Sequence, residues 1–212
     1  MSLENNKEIN NPIIETINNR RSCRDFKKKP IPKEILKKII DAGNQAPFTS
    51  ITRSQPWRFV VVENPVFRQK LIETTHPIWK KSMENIKEAA PEIYKTAMDL
   101  YESLDDSKDL VYYSAPAIVF VIGPKRNSIC CSLACENMMI AATSIGLGSC
   151  YVGFGSMVTG NDEVVKTLEL TDDEKIYGPI LLGYPKDKTN SKVANGLDHL
   201  APNKKEPIIK WI

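Results

Sequence analysis

The chain has no apolar run long enough to cross a bilayer: its longest, such as Ala115 to Gly123, fall well short of the ~20 residues that a spanning helix needs. No membrane segment is therefore expected. Histidine is nearly absent. His76 and His199 are the only two, far apart and without a carboxylate at ligand spacing, which disfavours a metal centre. The five cysteines, Cys23, Cys130, Cys131, Cys135 and Cys150, form an odd set with no CxxC pair. That implies neither a disulfide framework nor a four-thiolate zinc site and leaves reduced thiols as the plain reading. No GxGxxG fingerprint occurs, so a dinucleotide fold of the Rossmann type is disfavoured. The opening Met1-Ser2-Leu3-Glu4 lacks the basic-then-apolar pattern of a secretory signal, and the expected location is the cytoplasm. Net charge is only +3, with basic residues scattered among acidic ones, so no continuous stripe for nucleic acid is present.

What is present is an ordinary globular composition, 42% apolar and 26% charged over 212 residues, enough to bury one core. One domain is expected over residues 12–212, after a short extension at 1–11. Pro12 follows Asn11, a good N-cap, and Ile13, Ile14 and Ile17 recur at helical spacing, predicting a helix to about Arg20. A second helix is expected from Pro32, with Ile35, Leu36, Ile39 and Ile40 on one face. Trp57 to Val62 reads as a strand. From Phe67 to about Leu104 the pattern is helical, and Pro91 divides it into two helices.

Ala117 to Ile122 is continuously apolar, as in a central strand covered on both faces. Ser128 to Ile145 is apolar nearly all round, so its helix should be buried on more than one side and is expected to line a subunit interface. Within it Glu136 is the odd residue, expected to pair with a buried donor near that interface. Cys131 and Cys135 share a face of the same helix, where packing is the simpler role. A short strand at Ser149 to Val152, a helix at Asp162 to Leu168 and a strand at Lys175 to Leu182 complete the ordered part. The tail from residue 185 carries three prolines and ends in Ile208-Ile209-Lys210-Trp211-Ile212, suited to an edge strand or to wrapping a partner.

Three segments carry chemistry. Arg20-Arg21-Ser22-Cys23-Arg24 places three guanidinium groups and a hydroxyl at a helix-to-turn junction, a donor set suited to phosphate; alone, it is equally compatible with a solvated basic patch. Phe48 to Pro56 is a polar loop ahead of a core strand, a common location for ligand contacts, though Ser and Thr also serve ordinary turns. In Gly148-Ser149-Cys150-Tyr151-Val152-Gly153-Phe154-Gly155, glycines bracket a strand and permit close backbone approach to a flat ligand, or simply make its turns.

In this order and at these separations, Arg20-Arg21-Ser22-Cys23-Arg24-Asp25-Phe26, Ala46-Pro47 through Ser54-Gln55-Pro56-Trp57-Arg58-Phe59-Val60-Val61-Val62, and Gly146-Leu147-Gly148-Ser149-Cys150-Tyr151-Val152-Gly153 resemble the nitroreductase family. Ala115-Pro116-Ala117 and Leu182-Gly183-Tyr184-Pro185 match too. The resemblance implies an α+β, three-layer fold, with a mixed and mainly antiparallel central sheet flanked by helices, in an intertwined homodimer with FMN at sites built from both subunits.

On that pattern Arg20, Arg21, Ser22 and Arg24 hold the phosphate, ribityl chain and pyrimidine edge, with Arg24 near N1 and O2, where a cation favours the reduced ring. The family also implies that Pro47, Phe48, Thr49 and Arg53 contact the ring from the partner, that Tyr151, Val152 and Gly153 lie beside it near N5, and that Lys204 and Lys205 form a second phosphate clamp. NADH or NADPH is the implied electron donor, and a small electron-poor molecule such as a nitroaromatic or quinone the acceptor. No side chain need act as nucleophile or base. Enone reduction, dehalogenation, flavin fragmentation or flavin binding without turnover are the alternative activities. Three departures stand out: the Pro47 to Gln55 loop is about two residues long for the family, Arg53 replaces the usual Asn and adds positive charge, and Tyr151 stands in place of Trp or Pro.

Overall fold

The computed structural model describes residues 11–49, 54–103, 109–186 and 207–211. Asn11 caps the first helix, α1 (Pro12–Asn19), its Oδ1 accepting the N–H of Ile13 at 2.8 Å, with proline in the first turn as anticipated. Helix α2 (Lys33–Asn44) buries Leu36 and Ile39. Strand β1 (Arg58–Val62) leads through Asn64, whose Oδ1 takes the Phe67 N–H, into α3 (Pro65–Glu84), and α4 (Pro91–Glu102) begins at the proline that divides the helical stretch. Strand β2 (Ala117–Pro124), α5 (Ser128–Ser144), β3 (Gly148–Tyr151), α6 (Asp162–Thr167) and β4 (Glu174–Gly183) follow.

The four strands form one sheet in the order β1-β2-β4-β3, with each named pair antiparallel. A parallel element enters through the bridge of Ser22 to Ser149. Because side chains alternate across a strand, β2 divides between two cores. Ala117, Val119 and Val121 pack with α2 and α5, whereas Ile118, Phe120 and Ile122 pack with Leu71 of α3, Val164 of α6 and the Val111-Tyr112 turn. This explains the uninterrupted apolar run: both faces are covered, so neither admits a polar residue.

In β4 the alternation slips. Gly178 adopts φ +96, a backbone conformation that other residues rarely take, and the register shifts opposite Val119 to Val121. The slip leaves the Pro179 carbonyl to accept the Val152 N–H at 3.1 Å, which ties the end of β3 to the sheet.

Helix α5 shows why its sequence has little amphipathic character. Cys130, Cys131, Ala134, Cys135, Met138, Met139 and Ala142 face the core, while Ile129 and Leu133 on the other side remain exposed. The most exposed apolar helix is α1. It buries no residue, and Ile13, Ile14 and Ile17 stay 65%, 47% and 49% exposed. Among the described residues, no helix is long and apolar enough to cross a membrane.

Candidate functional site

The arginine segment leaves α1 and runs beside β3, anchored by main-chain hydrogen bonding rather than by its side chains. Cys23 N–H donates to the Ser149 carbonyl at 2.8 Å, Lys27 N–H to the Tyr184 carbonyl at 2.8 Å, and Phe26 bridges to Pro185. Phe26 and Cys23 are the buried pegs. A Cβ on Gly148 would lie 2.7 Å from the Cys23 side chain, and one on Gly183 would lie 2.5 Å from the Phe26 ring, so glycine is needed at both points of contact. With Cys23 and Phe26 turned inward, half-buried Arg20, Ser22 and Arg24 remain at the surface of the sheet end.

These three groups converge on Cys150 of β3. Burial pushes its thiol above the ordinary value, and the Arg24 charge, a Ser22 hydrogen bond and the Arg20 charge each pull it back down. Arg21 points elsewhere. Its Nη1 donates to the Asn18 and Arg20 carbonyls at 2.6 and 2.8 Å, so it satisfies the end of α1. Arg20 Nε lies 3.9 Å from Glu136 of α5. The donor expected near Glu136 is thus this arginine, on side chains 28% and 50% exposed rather than buried. Asp25 is engaged by Lys186 at 2.6 Å. The cluster is therefore rich in cationic donors with little carboxylate to neutralise them, a composition that suits an anionic, multi-oxygen group.

Two further features mark β3 and the turn that follows it. Ser149 is 1% exposed, and its Oγ has no hydrogen-bond partner among the described residues; burial of such a group costs about 1–3 kcal/mol. Gly153 follows β3 in an exposed turn with φ −60 and ψ −44, and a Cβ placed there would meet nothing within 4 Å. Neither the backbone conformation nor the packing of this chain calls for glycine at that position. Val152 is buried and its N–H is already taken by Pro179, and Tyr151 is 44% exposed.

The polar loop is held by other elements. Phe48 sits edge-on to Trp57 at 5.8 Å and packs with the core on the α5 side, while Pro47 and Thr49 are exposed. Arg53, Lys204 and Lys205 lie outside the described residues. A cavity of about 700 Å³, lined by Ile78, Met157, Val165 and Lys175 among others, involves none of the arginine cluster.

The turn that precedes β2 escapes sequence reasoning. Asp109 gathers three N–H groups on its carboxylate, those of Val111 at 3.0 Å, Tyr112 at 2.7 Å and Ser114 at 3.2 Å. Arg68 donates to the Pro116 carbonyl at 3.0 Å and also to that of Ala115. Held in this way, Tyr113 and Ser114 adopt φ +51 and +50, which costs a non-glycine residue roughly 1 kcal/mol or more each. Tyr112 is buried, its hydroxyl donating to the Gly155 carbonyl at 3.1 Å, and the Arg24 guanidinium lies over the Tyr113 ring, 5.9 Å from its centroid. No local pattern announces two consecutive left-handed residues that lack glycine, so this arrangement was not legible beforehand.

His76 supports the same turn. Its Nε2 accepts the Leu110 N–H at 3.3 Å, and burial lowers its pKa from 6.5 against a smaller opposing pull from Asp109. A histidine with a depressed folded pKa is neutral in the fold, whereas the unfolded chain takes up a proton as pH falls through about 6.5. Stability should therefore be unaffected by this group above that value and decline below it, down to the folded pKa. In thermal melts at pH 7.5 and 5.5, the wild type should lose more melting temperature than His76→Gln, whose side-chain oxygen can still accept the Leu110 N–H. Equal losses would contradict the assignment.

The chain is similar in sequence and fold to known proteins. The sequence pattern of the Nitroreductase family matches residues 17–184. The nitrobenzene nitroreductase of Ectopseudomonas oleovorans is 25% identical over 201 residues, covering 81% of this chain and 86% of that protein. A nitroreductase with bound FMN from Bacteroides fragilis superposes with TM-score 0.63 at 29% identity, covering 94% and 95% of the two chains. Another with bound FMN, from Desulfitobacterium hafniense, gives 0.65 at 25% identity, covering 84% and 90%.

Proposed function

Because the chain belongs to the nitroreductase family, we propose that it binds FMN against the Arg20–Arg24 segment and β3, and carries reducing equivalents from NADH or NADPH to a small electron-poor acceptor. The observation that carries the reading is the convergence of Arg20, Ser22 and Arg24 on β3, beside a glycine at which the fold itself leaves open space. The residues present fit the cofactor. The cationic donors suit its phosphate and the electron-rich pyrimidine edge, and Gly153 leaves room for a flat ring. When bound, FMN would supply the two-electron transfer chemistry.

The protein's own part is binding and orientation. Arg20 and Arg24 would neutralise anionic oxygen through guanidinium hydrogen bonds. Ser22 adds a hydroxyl to the same cluster. The sheet end that carries them is fixed by the Cys23 and Phe26 pegs, so the donors are held in place before a ligand arrives and little ordering entropy remains to be lost on binding. No side chain is assigned a nucleophilic or general-base role.

The reading includes a homodimer. The apolar faces of α1 and α5, with Ile145 beyond α5, and Ile208, Ile209 and Trp211 of the tail are exposed among the described residues. Exposed apolar surface of this kind marks an interface, and α1 delivers the arginine segment, so the partner would adjoin the site. Arg53, Lys204, Lys205 and the Pro47–Thr49 loop enter the proposal as further ring and phosphate contacts.

The test is direct. Gently purified protein, or apoprotein titrated with FMN, should show a flavin visible spectrum and release FMN on denaturation. It should oxidise NADH or NADPH with a quinone acceptor faster than free FMN does, and should sediment at twice the chain mass. A colourless protein that binds no added FMN would overturn the reading; flavin binding with turnover no faster than free FMN would reduce it to a carrier.

A further inference from the structure

We propose that Tyr113 is a positioning residue for Arg24, its ring forming the platform that holds the guanidinium at the flavin edge. The inference rests on the flavin-binding reading and adds to it a residue that touches neither the phosphate nor the acceptor.

The turn before β2 is held at a conformational cost. Two consecutive non-glycine residues at φ +51 and +50 do not arise from local preference, and here they persist because the surroundings over-determine them. Asp109 collects three N–H groups, Arg68 ties down the carbonyls of Ala115 and Pro116, His76 takes the N–H of Leu110, and Tyr112 reaches the Gly155 carbonyl. The product of that effort is the placement of two side chains. Tyr112 ties this turn to the one that follows Gly153. Tyr113 lies beneath Arg24, with the guanidinium carbon 5.9 Å from the ring centroid, within the range of a cation–π contact.

Arginine is long, and an arginine without a contact beyond the charge it serves would sample many rotamers. A flat ring on one face restricts it, since the ring face attracts the cation. Burial raises the Tyr113 phenol pKa, and the Arg24 charge and hydrogen bond act in the opposite direction, consistent with close contact between the two groups. The phenol stays neutral at physiological pH, so its role is steric and quadrupolar rather than that of an acid or base. Held Arg24 would favour the reduced, more negative ring over the oxidised one, so loss of the platform should show in the midpoint potential of the bound cofactor as well as in its affinity.

Tyr113→Asn separates this role from a structural one. Asn is among the residues that tolerate positive φ, so the turn keeps its backbone, while the ring that packs against the core is lost; the variant should fold with a lowered melting temperature. The expected result is about tenfold weaker binding of oxidised FMN by fluorescence titration. Reduced FMN should be weakened a further tenfold, which for a two-electron couple is a shift of about 30 mV to lower potential. Tyr113→Phe keeps the ring and should stay within about threefold of wild type on both measures. In an Arg24→Met background Tyr113→Asn should change little, because the residue acts through the arginine. Unchanged affinity and potential in Tyr113→Asn, or a full effect persisting in the Arg24→Met background, would overturn the inference while leaving the flavin reading intact. Failure of the wild type to bind FMN would overturn both.

Discussion

Replacing Arg20 and Arg24 together by alanine should abolish FMN retention through purification while leaving a folded dimer. Each guanidinium offers charge-assisted hydrogen bonds worth roughly 1.5–3 kcal/mol. Two such losses correspond to about 10²- to 10⁴-fold weaker binding, with the half-buried setting of both side chains favouring the lower end. The fold has little to lose. Arg20 meets Glu136 only at 3.9 Å on half-exposed side chains, a pair that contributes at most about 1 kcal/mol, and the segment is anchored by Cys23, Phe26 and main-chain bonds. FMN titration of the apoprotein, with circular dichroism and sedimentation as controls, measures both halves of the expectation. Arg21→Ala provides the contrast, since that side chain serves the α1 carbonyls and its loss should affect FMN only weakly. Full flavin occupancy in the double variant would remove the site from this part of the chain.

Gly153→Val should weaken FMN by roughly 10- to 100-fold with melting temperature almost unchanged. The backbone there is right-handed helical at φ −60 and ψ −44, and a Cβ would meet nothing within 4 Å, so stability should change by no more than about 0.5 kcal/mol. The space that valine would enter is the space the flavin reading needs. Forcing a ligand to accommodate extra methyl groups costs about 1–3 kcal/mol. Gly153→Ala should show a smaller loss in the same direction. A valine variant that binds FMN normally would show that this turn does not touch the ring, and the arginine assignment would then stand without it. The paired measurement matters because binding and stability are expected to separate: a glycine required by the fold would lose both.

The helices and strands were legible wherever a local pattern has one physical solution. Asn11-Pro12 could begin a helix by capping alone, and the β2 run of Ala117 to Ile122 could be covered on both faces only by a central position in a sheet. Glu136 shows a partial reading. Its oddness in an apolar helix was visible in the sequence, but its distance and exposure beside Arg20 depend on how α1 crosses α5. The mainly antiparallel sheet came from resemblance to a family, and the placement of the arginine segment beside β3 only from the structure, because pairing between segments far apart in sequence leaves no periodic trace. The Tyr112-Tyr113 turn left no trace of either kind.

By itself, then, the sequence determined which residues are cationic, which glycines are available and which stretches must be inside, since these follow from side-chain chemistry and from periods of two and of three to four residues. Only the tertiary structure decided that Arg21 turns back to α1 while Arg20 and Arg24 face β3, that Gly153 borders open space, and that Tyr113 lies under Arg24. Direction and proximity of this kind are set by the packing of distant segments, in which long-range contacts outweigh the local conformational preferences that a sequence pattern records.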